Sequence, residues 1–133
     1  MTVSGCRLRV EVEIESSGEW LWAEYDNMTV ESQNNNYTLH VTGYHGNAGD
    51  AFNDARRVRW QSNGMPFSTP DVDNDQQPTG SCAHFRSCGW WFAWCSLSNL
   101  NCLTYGYWHS TAKGSPIPFS ASRMMLQCSA MQN

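Results

Sequence analysis

Charged side chains are scarce in this chain. Asp, Glu, Lys and Arg make up only 15% of its 133 residues, while aromatics reach 13%. That balance argues against disorder, which goes with high charge and few aromatics. A net charge of -4 argues against nucleic acid or an anionic membrane as partner, since both demand a basic surface. No apolar run approaches membrane-spanning length, and Met1 to Gly5 lack the apolar core of a secretory leader. There is no internal repeat, low-complexity stretch, heptad pattern or collagen repeat. Enzyme signatures are also missing: no nucleophile elbow, no His-Glu metal motif, no phosphate-cradling Gly loop. These absences leave a single non-enzymatic domain, 1–133, large enough for a core.

Cysteine is plentiful by contrast. Six in so short a sequence point to an oxidising compartment and a secreted, extracellular protein. Six cysteines allow fifteen connectivities, and sequence alone does not choose among them. A zinc reading of Cys82, His84 and Cys88 is weaker than disulfides, because no fourth ligand falls at finger-like spacing. Leu8 to Ile14 alternates polar and apolar residues, as a half-buried strand does. Glu19–Val30 and Asn36–Gly43 read as two more strands around a turn at Ser32–Asn36. Asp50–Arg57 reads as a short helix, and Met124-Met125-Leu126 as a closing strand. From Trp60 to Ser115 the sequence is rich in turns.

Asp71, Asp73 and Asp75 alternate, so in an extended loop their carboxylates can converge on one hard cation. Calcium takes six to eight oxygens, and backbone carbonyls can complete the shell. The loop is not an EF-hand, because Gln76 stands where that loop needs Gly and Cys82 where it needs Glu. Asp, Asn and Pro also favour turns, so a solvated turn competes with the calcium reading.

The residues around this loop resemble a known family. Asn63-Gly64-Met65-Pro66-Phe67-Ser68-Thr69 precedes the Asp71–Asp75 run. Then follow Cys82-Ala83, Gly89-Trp90-Trp91, Cys95 and Asn99-Leu100-Asn101. Leu8-Arg9-Val10-Glu11-Val12-Glu13 and Ala48-Gly49-Asp50-Ala51-Phe52 lie upstream. Together they resemble the C-terminal half of a fibrinogen-related domain, the family of fibrinogen chain ends, ficolins, tachylectins and invertebrate sialic-acid-binding lectins. The resemblance implies an α+β, β-rich fold. It would be a truncated fibrinogen C-terminal-like domain with a small antiparallel sheet, about 6–60, and a loop-rich, disulfide-stapled ligand part, about 61–126. The sequence departs from the family in being shorter, in one extra residue before Cys82, and in Cys102 where the family has glycine.

What the resemblance implies for the site is specific. It gives a Cys82–Cys95 bridge. Cys6, Cys88, Cys102 and Cys128 remain. Cys6 and Cys128 lie near ends that often approach each other, Cys88 and Cys102 flank the tryptophan pair and the Asn-Leu-Asn turn, and one of the four could instead link subunits. Calcium would sit on Asp73 and Asp75 with the carbonyls of Gln77 and Thr79, bracing the loop beside a pocket. That pocket lies by Cys95, with a cis Trp94–Cys95 peptide, and Ser96 stands where histidine is common. Arg86 falls near the position of an acid that in fibrinogen receives a cationic amine, which inverts the preferred ligand charge. Its planar fork matches a carboxylate. Tyr105, Tyr107, Trp108 and His109 would form the opposite wall, with Lys113 and His84 at the rim, while Trp90 and Trp91 read as core. The resulting expectation is a lectin for sialic acid, acting in innate immunity on sialylated glycans, and a homo-oligomer with a dimer favoured. The alternatives are a lectin for neutral N-acetylated sugars such as GlcNAc or GalNAc, and a fibrinogen-like protein-binding module.

Overall fold

A computed structural model describes residues 3–102, 106–110 and 115–129. The six strands are β1 (Val3–Ile14), β2 (Trp20–Val30), β3 (Leu39–Gly46), β4 (Ser98–Asn99), β5 (Tyr107–Ser110) and β6 (Ser115–Cys128). They form one antiparallel sheet in the order β3-β2-β1-β6-β5-β4. The first strand is thus central, and it pairs with the last one, Cys6 opposite Cys128 and Val10 opposite Met124. The alternation seen in the sequence is real: Leu8, Val10 and Val12 point into the core, while Arg9 lies on the other face beside Glu24 and Trp22.

The third strand begins at Leu39 rather than Asn36. Asn36 and Tyr37 have positive φ (52° and 56°), a turn conformation that no strand accommodates. Segment 63–65 then covers the edge of β3. The Asn63 side chain accepts from Val41 N at 2.9 Å and donates to Val41 O at 3.1 Å, and Leu39 N donates to Met65 O. This is the physical use of the Asn-Gly-Met motif.

Asp50–Arg57 is not a helix. Asp50 Oδ1 accepts the N–H groups of Phe52 and Asn53, and Asp54 Oδ1 accepts that of Arg56. Successive side-chain turns of this kind take the donors a helix would use. The only α-helix among the described residues is α1, Cys82–Arg86, so β structure dominates more than an α+β label conveys.

The core is aromatic. Phe52 is fully buried and meets Tyr25, Trp90 and Trp108 at ring separations of 5.2, 6.0 and 5.3 Å. Trp90 and Trp91 are buried, as the sequence indicates. Each such ring contributes more than its area, because tilted and edge-on contacts add about 0.5–1.5 kcal/mol. Three disulfides staple this frame: Cys6–Cys128, Cys82–Cys95 and Cys88–Cys102. No cysteine is left free to ligate zinc or link subunits.

One buried pair makes the domain pH-sensitive. The Tyr25 hydroxyl donates to Asp50 Oδ1 at 2.7 Å. Burial, and then the Asp50 charge, hold the Tyr25 phenol well above its ordinary 10.0. Burial also raises the Asp50 carboxyl, against the hydrogen bonds from Tyr25 and Asn53. The folded phenol keeps its proton where the unfolded one releases it. Its stabilising contribution is therefore complete below about pH 10 and is lost as pH rises beyond that. For Asp50 the same sign places the loss just above the ordinary carboxylate range. Tyr25→Phe is expected to flatten the alkaline slope and to lower stability at neutral pH by about 1–3 kcal/mol, since Asp50 loses its donor. Urea unfolding from about pH 7 to about pH 10.5 measures both effects, and an unchanged alkaline slope would show that Tyr25 does not carry it.

Candidate functional site

The helix α1 starts at Ser81, whose Oγ accepts His84 N at 3.2 Å. It stops at Ser87, which turns left-handed at φ 57°. Cys82 anchors its first turn to Cys95, and Arg86 ends it facing a cavity of about 970 Å³. Trp60, Trp94, Cys95, Ser96, Tyr107 and His109 line the same cavity, as do Glu15 and, from β6, Pro116, Pro118, Phe119 and Ser120. Six residues expected from the sequence are thus gathered at one place: Arg86, Trp94, Cys95, Ser96, Tyr107 and His109. Tyr105 and Lys113 lie outside the described residues, and His84 is exposed on α1.

The floor is preorganised. Tyr107 donates its hydroxyl to Ser96 O at 2.7 Å and lies 3.2 Å from Ser96 Oγ, which in turn donates to Ser98 O at 2.6 Å. The Arg86 guanidinium sits 5.4 Å from the Tyr107 ring centre. A stacked guanidinium keeps its N–H edges free for an anion. His109 is pushed below its ordinary value by burial and then by the positive Arg57, so it is neutral at physiological pH. Its Nε2 therefore accepts from Arg57 Nη1.

Two expectations are corrected here. Trp108 does not line the cavity. It is fully buried, packs edge-on against Phe52, and donates its indole N–H to Gly49 O at 2.9 Å. In a strand, neighbours point to opposite faces, so Tyr107 and Trp108 cannot share a wall. The Trp94–Cys95 peptide is trans, as are the other described bonds. Trp94 lies in a bend in which its N donates to Arg59 O and Ala93 N donates to Cys95 O.

The acidic loop is ordered by its own side chains. Asp75 accepts Gln77 N at 2.8 Å and Cys82 N at 2.7 Å through its two oxygens. Asp73 Oδ1 accepts Asp75 N, and Asp71 Oδ1 accepts the Thr69 hydroxyl, which makes Asp71 a turn residue. Burial, opposed by those amides and supplemented by the Asp73 charge, raises the Asp75 carboxyl. Among the described residues no group of three His, Cys, Asp or Glu converges on a point that could hold a metal ion.

Sequence reasoning misses Trp60, Arg57 and Arg59. Trp60 lines the cavity, and Arg57 and Arg59 stand over Trp60 and Trp94 at 5.8 and 5.0 Å. The Arg56-Arg57-Val58-Arg59-Trp60 run is itself the available signal, as the densest cationic stretch in a charge-poor sequence.

Comparison with known proteins agrees with this architecture. The family profile for the C-terminal globular domain of the fibrinogen beta and gamma chains matches residues 1–126. Human fibroleukin is 39% identical over 108 residues, which is 80% of this chain and 23% of that protein. The solved fibrinogen-like globe domain of human ANGPTL2 superposes with a TM-score of 0.78 at 34% identity, over 93% of this chain and 58% of that one. The globe domain of human ANGPTL6 gives 0.77 at 29% identity, over 96% and 58%. This protein therefore spans under a quarter of fibroleukin and somewhat over half of the solved domains. It belongs to the fibrinogen C-terminal globular domain family.

Proposed function

We propose that this domain is an extracellular protein-recognition module that seats an acidic segment of its partner in the cavity beside Arg86. The observation that carries this reading is the composition of the lip. Trp60 and Trp94 are partly exposed and line the same cavity as Arg86 and Tyr107, and Trp, Tyr and Arg are the residues that dominate binding hot spots. Similarity to fibroleukin and to the ANGPTL globe domains supports a binding role without turnover. Three disulfides support an extracellular location. No helix among the described residues is long and apolar enough to cross a membrane. Calcium on Asp73 and Asp75, with the carbonyls of Gln77 and Thr79, would brace the loop behind Cys82 and do no chemistry. A dimer would raise avidity at so small a site.

A second reading has its own support: the Arg86 fork over Tyr107 also suits the carboxylate of sialic acid. One experiment separates the two. Peptides selected from a random displayed library are compared with N-acetylneuraminic acid and N-acetylglucosamine by calorimetric titration, with calcium and then with chelator. An acidic peptide consensus is expected, with Arg86→Ala weakening the selected peptides about tenfold or more. Tighter binding of N-acetylneuraminic acid than of any peptide would move the assignment to a sialic-acid lectin. Selection of neutral or basic peptides would overturn the acidic-segment reading.

A further inference from the structure

The described cations divide into two groups. Arg7, Arg9 and Arg123 lie on the sheet, and each has a Glu or Asp oxygen within salt-bridge distance. Among the described residues, Arg56, Arg57, Arg59 and Arg86 form no ion pair. Of the nearby acids, Asp54 accepts the Arg56 backbone amide and Glu15 lines the same cavity as Arg86, and neither forms an ion pair with these arginines. Most of the other acidic residues lie in β1, β2 and their turn or at Asp71–Asp75, with Glu31 just after β2 and Asp50 hydrogen-bonded to Tyr25. A protein that is acidic overall thus concentrates its uncompensated positive charge at one lip.

The lip is also built in a regular way. Three of the rings that line the cavity each have one arginine over them: Arg57 on Trp60, Arg59 on Trp94 and Arg86 on Tyr107. The cation–π contact holds each guanidinium near its ring, and Arg57 also donates to His109 Nε2, so the exposed Arg56 and Arg59 are the ones placed to meet oxyanions. Arg56 and Arg59 are exposed, and Val58 between them is 66% exposed. The Val58–Trp60 turn and the strip at Trp94–Leu97 are tied by Trp94 N to Arg59 O and Leu97 N to Trp60 O, so the arginines ride on a fixed backbone.

From this arrangement we infer that the Arg56–Trp60 segment is a binding surface for a linear sulfated polysaccharide, lying beside the cavity and separate from the ligand that fills it. A row of anionic groups complements the exposed Arg56 and Arg59, which form no ion pair among the described residues, and its affinity comes from neutralising them and releasing counterions. A polysaccharide fits better than a lipid surface. The protein carries a net charge of -4, which opposes its approach to an extended anionic membrane surface, whereas one linear chain touches this segment alone.

The test uses immobilised heparin as the probe, read by surface plasmon resonance across a salt series. The native domain is expected to bind at about 0.15 M salt, and chemically desulfated heparin is not. Arg56→Ser with Arg59→Ser is expected to weaken binding about tenfold and to lower the slope of log K against log salt by about two. Both side chains are exposed, so the melting temperature stays unchanged; Arg59→Lys, which keeps the charge, retains most of the binding. Arg86→Ala is expected to abolish the cavity ligand but to change heparin binding by less than about threefold, so the two readings fail separately. Absence of heparin binding by the native domain overturns the inference, as does an unaffected double variant or equal binding of desulfated heparin. Tighter, arginine-dependent binding to phosphatidylserine vesicles would instead reassign the segment to a membrane.

Discussion

Replacing Cys6 and Cys128 together by alanine lowers the unfolding free energy by about 4–5 kcal/mol. The bridge joins residues 122 apart. Closing so long a loop removes more freedom from the unfolded state than either short bridge, which span separations of 13 and 14. Two local effects are smaller. The thiols are replaced by smaller apolar groups, and Cys6 is buried, so a minor void is left. The strand pairing of β1 with β6 also survives in principle. Yet the residues of β6 near the bridge gain little from burial, since Met124 and Leu126 stay 38% and 49% exposed. Without the covalent tie that end of β6 frays, and fraying adds to the loss. Urea unfolding of the double variant measures it, with a fall in melting temperature of about 10–20 °C expected alongside. A loss below about 1 kcal/mol would mean that the unfolded state is already compact enough to keep its ends together.

The second large effect is at Trp108. Trp108→Ala costs about 3–5 kcal/mol, because a fully buried ring against Phe52 leaves a cavity that a rigid aromatic core cannot close. Trp108→Phe separates a core role from a binding role. It keeps most of the packing and loses the bond to Gly49 O, so it costs about 1–2 kcal/mol. Affinity for any cavity ligand is unchanged in that variant, because Tyr107 and His109, and not Trp108, reach the cavity. Denaturation and titration on the same preparation decide the matter. A folded Trp108→Phe with lost affinity would return Trp108 to the wall.

What sequence makes legible follows from range. The alternation of Leu8 to Ile14 reports one strand's own two faces, so it needs no knowledge of the rest of the molecule. Cysteines carry their own long-range information, since each must meet another, and motif order places Arg86 and Ser96 on one site. Trp108 is misplaced from sequence because its face depends on the register of β5 against β4 and β6, which local composition does not encode. Asp50–Arg57 is misread because Asp50 serves Tyr25, twenty-five residues earlier, as well as its own turn. Arg57 escapes notice for the same reason: its partner His109 is 52 residues away. Contacts of that separation are the part of the site that no window along the sequence contains.

The pairing of the first and last strands bears on how this domain responds to tension. Its points of entry and exit, just before Cys6 and just after Cys128, are one covalent bond apart. A pull applied across them loads sulfur rather than hydrogen bonds, and nothing between the two cysteines lies in the path of the force. The domain can therefore sit within a stretched filament or between a tethered partner and a moving one without lengthening. Reduction of that single bond would turn the same pull on β1 and β6 into an unzipping of the centre of the sheet.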